Sequence, residues 1–168
     1  MASIIKVDTI QDATGAFEHA RLVQVVNVTD SAVATGSTTM NSDNTIPQIT
    51  EGNEWMTLAI TPTNASNKLF IEVVVQVASS SSTTHVCAIF QDSTAGAISA
   101  VGQNLNGTNT VELLNFSHYM TAGTTSATTF KVRTGGTSSS TFTFNGASAA
   151  RLFGGVSGSS ITISEIRV

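Results

Sequence analysis

Three histidines and one cysteine are among the side chains of this 168-residue chain that could bind a metal or act as nucleophiles. His19, His85 and His118 are far apart in sequence, and Cys87 lies in an apolar run with Val86. A protein metal site needs three or four ligands that converge in the fold. This spacing offers no such set, so we expect hydrogen-bonded histidines and no metal or other cofactor. We expect Cys87 to be a buried small hydrophobe, and a single cysteine excludes an internal disulfide.

The familiar catalytic patterns are also absent. The stretch 154–158 approaches a nucleophile elbow in its letters, but no strand-turn-helix context surrounds it. The stretch 134–137 is rich in glycine but lacks the lysine and the helix of a phosphate loop. Glu51 and Glu54 flank a turn next to Trp55, which leaves a sugar-binding aromatic as an alternative to the expected core position. The sequence therefore predicts that this protein is not an enzyme.

The composition favours strands over helices. Only 11% of the residues are charged, whereas 21 Ser and 26 Thr supply the polar surface. Threonine is β-branched and suits a pleated sheet. The net charge of −4 argues against binding nucleic acid. No apolar run approaches the ~18 residues of a membrane span, so we expect no membrane insertion and no secretion signal.

Short apolar segments alternate with turns rich in Gly, Ser, Thr and Asn along the whole chain. The clearest segment is 69–77, where every second residue is apolar over nine positions. The segment 21–28 is apolar enough to predict burial on both faces. The other predicted strands are 4–10, 55–60, 86–90, 98–101, 111–120, 130–133, 141–144 and 161–168, and the segment 29–44 is expected to be a polar loop.

These segments predict an all-β protein that folds as an antiparallel jelly-roll sandwich with an N-terminal extended arm. We place the arm at residues 1–20 and the jelly-roll domain at residues 21–168, with an up-and-down barrel as the alternative. One helical turn is conceivable over 147–153. The hydroxyl-rich tracts 79–84, 121–129 and 134–141 should form loops at the ends of the sandwich.

Several segments resemble a known family. The opening residues Lys6-Val7-Asp8-Thr9-Ile10-Gln11-Asp12, followed by Gly15, resemble the "KVDTIQD-x-x-G" start of many tail-fibre and virion surface proteins of tailed phages, especially phages of cyanobacteria and marine bacteria. The stretch 60–71 is similar to the "ITPxxxxSKLxI" turn and strand of the same proteins, with Asn67 where that pattern often has Ser. The stretches 128–133 and 161–166 also resemble their later strands.

The resemblance implies a jelly roll of the tumour-necrosis-factor type, assembled as a homotrimer in the virion after synthesis in the bacterial host cytoplasm. The first expectation is a capsid decoration (cement) protein that binds the major capsid protein or other virion proteins. A short tail or head fibre is an alternative, and it would contact a host receptor or glycan through loops such as 104–109 or 138–140. A non-viral β-sandwich binding module is a further alternative. The absence of heptads for a fibre shaft favours decoration. We expect Ile4, Ile5, Val7 and Ile10 to dock the arm onto a neighbouring chain by strand addition.

Overall fold

The computed structural model describes residues 21–104 and 107–168, and the predicted arm and first strand lie outside this range. The described residues form twelve strands and one short 3-10 helix at Phe153–Gly155. The strands are β1 (Arg21–Asp30), β2 (Ala34–Gly36), β3 (Asn53–Ile60), β4 (Lys68–Ser79), β5 (Thr84–Gln91), β6 (Ser99–Asn104), β7 (Glu112–Thr121), β8 (Thr128–Gly136), β9 (Phe142–Phe144), β10 (Gly146–Ala147), β11 (Ala150–Arg151) and β12 (Ser159–Arg167). In residues 21–104 and 107–168, no helix has the length and hydrophobicity needed to cross a bilayer.

The eight main strands pair in a nested order. β1 pairs with β12, β3 with β8, β4 with β7, and β5 with β6, all antiparallel. Two further pairings, β12 with β4 and β5 with β8, join these strand pairs into two sheets. First-with-last pairing of eight strands across two sheets is the jelly-roll topology, whereas an up-and-down barrel pairs sequence neighbours. The predicted antiparallel jelly-roll sandwich is therefore confirmed.

The structure adds three short strands that the sequence did not predict. β2 lies inside the segment 29–44, which was expected to be a polar loop, and it pairs with β9. β10 and β11 form a two-residue hairpin where one helical turn was considered. Val77 of β4 pairs with Glu112 of β7 on one side and with Phe144 of β9 on the other. β9 therefore lies along the same edge of β4 as β12. These strands are too short to produce a period-two pattern.

The core fills the space between the six-stranded sheet that contains β4 and the four-stranded sheet β3-β8-β5-β6. The inward face of β4 has the predicted period of two, and all five of its members are at most 1% exposed: Leu69, Ile71, Val73, Val75 and Val77. β5 is buried on both faces. Its outward residues pack under Met40 and Ile49 in a second, smaller cluster beneath the connection between β2 and β3.

β1 differs from its prediction. The segment was expected to be buried on both faces, but Leu22 is 58% exposed and Val25 is 49% exposed. The reason is position, because among the described residues β1 is an edge strand of the six-stranded sheet and pairs with β12 alone. One face of the strand packs on the core through Val26 and Val28, and the other face remains open.

The two ends of the sandwich carry different connections. The arm end is the end where β1 begins, and it contains the connections 61–67, 92–98 and 122–127. The loop end is the opposite one, and it contains the connections 31–33, 80–83, 137–141 and 145–158. The three hydroxyl-rich tracts predicted as loops supply 80–83 and 137–141 at the loop end and 122–127 at the arm end, although their flanking residues extend the strands.

Candidate interaction surfaces

The predicted docking residues Ile4, Ile5, Val7 and Ile10 belong to the arm and lie outside the described residues, as does His19. The other predicted features fall within 21–104 and 107–168, except that the loop 104–109 is described only in part. Four features determine which surfaces are available for binding: the remaining histidines, the aromatic beside the acids, the outer face of the larger sheet, and the loops at the two ends.

His85 and His118 are placed on different sheets. His85 is the second residue of β5 in the four-stranded sheet, and His118 lies in β7 of the six-stranded sheet. Across the described part of the chain, no three His, Cys, Asp or Glu side chains are grouped to hold a metal ion. Cys87 is fully buried in the core as predicted, and burial raises the pKa of its thiol.

His85 was expected to be hydrogen-bonded, and this prediction is wrong. Its ring is 1% exposed, and neither ring nitrogen has a hydrogen-bond partner among the described residues. The ring instead meets Phe142 edge-on, with centroids 5.6 Å apart. Desolvation lowers the pKa of His85 to about 4, so the ring is neutral at physiological pH.

Trp55 is half-buried, and its ring packs against the core instead of facing outward as a sugar platform. Its ring stacks on Phe144 with centroids 5.1 Å apart and planes 1° apart, and its indole N–H donates to Thr134 Oγ1 at 2.7 Å. The neighbouring acids are engaged elsewhere. Glu54 forms an ion pair with Arg133 at 3.0 Å, and Glu51 accepts a hydrogen bond from the Gln48 backbone. A bulge between Glu54 and Met56 turns the indole inward.

The outer face of the six-stranded sheet is poor in charge. Cross-strand register forms a row of Val25, Ser164, Phe70 and Tyr119, in which the last two rings lie 6.3 Å apart. The next rows carry mainly hydroxyl, amide and aliphatic side chains: Asn27, Thr162, Glu72 and Ser117, then Thr29, Ser160, Val74 and Asn115. A broad, weakly charged sheet face with an exposed Tyr119 fits contact with another protein surface.

At the arm end, a buried carboxylate binds the connection between β3 and β4. Glu165 of β12 is 0% exposed, and its oxygens accept hydrogen bonds from Asn67 Nδ2 at 2.5 Å, Gln24 Nε2 at 2.6 Å, and the Thr63 N–H and hydroxyl at 2.8 Å. Burial opposes ionisation of Glu165. The hydrogen bonds from Asn67, Gln24 and Thr63 outweigh it and lower its pKa to about 2. The segments 60–71 and 161–166 therefore meet at this carboxylate.

At the loop end, the connection between β9 and β12 exposes large apolar side chains. Phe153 is 75% exposed and Val156 is 89% exposed, and we call these two residues the apolar tip. Sequence reasoning missed them. The available signal was an apolar pair around Gly154 and Gly155, in a region where the other end loops consist mainly of Ser, Thr and Asn.

The base of this connection is firmly held. Asn145 is 1% exposed, and its Nδ2 donates to the carbonyls of Asp30 and Ala32 while its Oδ1 accepts from Ser159. Beyond it, left-handed backbone occurs at Ser148, Ala149 and Phe153, which lack glycine's freedom. The connection is therefore hydrogen-bonded at its base, and residues beyond the base adopt unfavourable backbone conformations.

The loops predicted to face a host receptor in a fibre also lie at the loop end. The hydroxyl of Ser138 donates to Thr83 at 3.1 Å, and the hydroxyls of Ser140 and Ser79 lie 2.7 Å apart. The loop at 104–109 is described only in part, and the Asn109 N–H donates to the Ser79 carbonyl at 2.6 Å. Ser138 and Ser140 thus make contacts within the loop cluster.

No family model matches this chain, and no curated protein matches it. Solved structures with similar folds include an infectious bursal disease virus Gt strain structure, at 13% identity and a TM-score of 0.47 over 100% of this chain. Eiger TNF from S. frugiperda is 9% identical, with a TM-score of 0.45 over 88% of this chain and 94% of its own. The Cry8Ea1 delta-endotoxin from Bacillus thuringiensis is 10% identical, with a TM-score of 0.40 over 84% of this chain.

This chain spans 42% of the viral chain and 20% of the toxin chain. The assignment of the jelly-roll topology to this chain rests on its own strand pairing.

Proposed function

We propose that this protein is a non-enzymatic structural protein of a phage virion, which forms a homotrimer and decorates the outer shell of the capsid. The observation that carries the proposal is the meeting of two phage-like segments, 60–71 and 161–166, at the buried Glu165 of a jelly roll. The low charge of the outer face of the six-stranded sheet supports contact with further copies of the chain.

The mechanism is stabilisation by mass action. A protein that binds the assembled shell but not dissociated subunits shifts the equilibrium toward the shell. A trimer adds avidity, because three weak contacts with the major capsid protein act together once one of them has formed. The symmetry of a closed trimer also matches the threefold points of an icosahedral shell.

The test is the copy number of this chain per particle, measured by quantitative mass spectrometry against the major capsid protein. We expect a ratio near one to one. A few to a few tens of copies would replace this proposal with a short tail or head fibre that binds a host receptor or glycan. Absence from purified particles would reject a virion role and favour a non-viral binding module.

The arm gives the proposal a second test. We expect deletion of residues 2–12 to abolish binding to particles, because Ile4, Ile5, Val7 and Ile10 would no longer pair with a neighbouring chain. A variant with these four residues changed to Ser is the matched control for chain length. Binding is measured by co-sedimentation with particles that lack the protein, and circular dichroism monitors the fold. Unchanged occupancy of the deleted form would exclude the arm as the docking element.

A further inference from the structure

A second feature of the surface complements the apolar tip. A pocket of about 190 Å³ opens on the outer side of the four-stranded sheet, between the connection at 41–47 and strands β5 and β6. Its apolar lining includes Pro47, Val86, Ala100 and Val101, and Asp43 contributes a carboxylate. The pocket is open to solvent on one side, and its volume is of the order that holds one benzene molecule in an enclosed cavity, about 150 Å³.

The charges of the two features are opposite. Arg151 is exposed beside the tip and makes no ion pair among the described residues. Asp43 is exposed in the pocket, where its Oδ1 accepts hydrogen bonds from the Thr45 N–H at 2.8 Å and the Thr45 hydroxyl at 2.5 Å. Those bonds favour the ionised form of Asp43 and lower its pKa. The other carboxylate oxygen remains available to a guanidinium group.

The tip of one molecule does not fill the pocket of the same molecule. Phe153 is 75% exposed, so no residue of the described ranges 21–104 and 107–168 encloses its ring. The tip belongs to the connection between β9 and β12 of the six-stranded sheet, whereas the pocket lies on the outer side of the other sheet. A contact between the two features therefore requires two copies.

We infer that the apolar tip of one copy binds the pocket of a second copy, with the Phe153 ring inside the pocket and Arg151 paired with Asp43. The rigid base at Asn145 favours a shaped protein pocket over a lipid surface, because a preorganised loop loses little conformational entropy on binding. The contact joins two different patches, so it is heterologous. Repeated contacts of this kind close into a ring or extend as a chain of molecules.

This inference concerns association in solution and does not depend on a virion role. The experiment is sedimentation velocity of the full chain from about 10 µM to about 1 mM. This range covers the dissociation constants expected when one anchor residue holds two copies together. We expect the wild-type mass to increase with concentration. Phe153→Ser, Arg151→Asp and Asp43→Arg should each weaken association by about 10-fold or more, the loss typical of an anchor residue.

Mixing the two charge variants gives the sharpest test. In an equimolar mixture of Arg151→Asp and Asp43→Arg, every contact between unlike copies joins opposite charges. The mixture should therefore associate within about 3-fold of wild type, since charge pairs across an interface are interchangeable when both signs reverse. Ala100→Trp, which fills the pocket without changing Asp43, should weaken association as strongly as Phe153→Ser.

Three results would overturn the inference. The first is a mixture that associates no better than either variant alone. The second is a concentration series in which Tyr119→Ser, on the outer face of the other sheet, weakens association and Phe153→Ser does not. The third is a wild-type chain that stays unassociated but binds phosphatidylglycerol vesicles through Phe153, which would identify the tip as a lipid contact.

Discussion

Two buried polar side chains, Glu165 at the arm end and His85 at the loop end of the sandwich, differ in whether they are hydrogen-bonded. At the arm end, the buried carboxylate of Glu165 accepts hydrogen bonds from three different side chains and a backbone N–H. At the loop end, His85 is equally buried, yet neither of its ring nitrogens has a partner among the described residues. A satisfied buried network fixes one packing arrangement, whereas an unsatisfied group destabilises the fold.

The backbone shows the same division. Of the six non-glycine residues with positive φ in the described chain, only Asp92 lies at the arm end, and its carboxylate accepts hydrogen bonds from Thr128 and Thr129. The other five are at the loop end: Asn109, Asn145, Ser148, Ala149 and Phe153. Unfavourable backbone conformations concentrate at binding sites in many proteins, which agrees with the exposed tip at this end.

Removing the carboxylate at the arm end should have the largest effect on stability. We expect Glu165→Ala to lower the free energy of unfolding by about 3 kcal/mol or more, because each buried donor left without an acceptor costs about 1–3 kcal/mol. Glu165→Gln keeps one acceptor oxygen and should lose less. The measurement is urea unfolding, with Glu72→Gln on the exposed sheet face as a control expected within about 0.5 kcal/mol of wild type.

The pH dependence of this contribution has a defined sign. The pKa of Glu165 is about 2 in the folded chain and 4.5 for an unperturbed glutamate, so the unfolded chain binds a proton first as the pH falls. The stability from Glu165 is complete above pH 4.5 and is lost between pH 4.5 and 2. If Glu165→Ala were as stable as wild type at pH 7, the hydrogen bonds to Glu165 would not stabilise the arm end.

His85 should give a smaller effect in a different pH range. Its pKa is about 4 in the folded chain and 6.5 for an unperturbed histidine, so the unfolded chain again binds the proton first. Stability should fall as the pH drops from 6.5 to 4, while no change from this group occurs above 6.5. His85→Leu should remove this slope and increase stability at pH 5, because no polar ring remains buried without a partner. Unfolding curves at pH 7 and pH 5 measure both effects, and an unchanged slope in the variant would assign the sensitivity to another group.

The smallest expected effect concerns the strained hairpin turn at the loop end. Ala149 has φ of 58°, so Ala149→Gly should raise the free energy of unfolding by about 0.5–1 kcal/mol. Ala147, two residues earlier in β10, has no such backbone and serves as the matched control. Ala147→Gly should lower the free energy of unfolding by a similar amount. At this position glycine relieves no strain and only raises the conformational entropy of the unfolded chain. Thermal unfolding of the two variants measures the difference, and equal effects of the same sign would argue against stored strain.

Local sequence patterns predicted the eight main strands of the two sheets. They did not predict contacts between residues that are distant in sequence. The alternation at Leu69 to Val77 is visible in sequence because every second residue is buried. The contact between Glu165 and Asn67 is not visible, because the two residues are 98 positions apart and meet only through the register of β12 on β4. The openness of β1 at Val25 also depends on sheet order, which its apolar letters do not encode.

The candidate surfaces were harder to predict for a related reason. The sequence directed attention to the arm and to hydroxyl-rich loops, where composition is unusual. Phe153 and Val156 are apolar like core residues, and only their place in the connection between β11 and β12 exposes them. The lack of a partner for His85 is likewise a property of the packing around Phe142.

The pairing of β1 with β12 has a consequence for biogenesis. These strands are separated by residues 31–158, so the edge of the six-stranded sheet cannot close until residues 159–167 have been synthesised. Topologies dominated by such distant pairings fold slowly. A nascent chain therefore leaves the ribosome with the apolar residues of β1 unprotected, and its yield in a cell should depend on chaperones that shield that strand until translation reaches its partner.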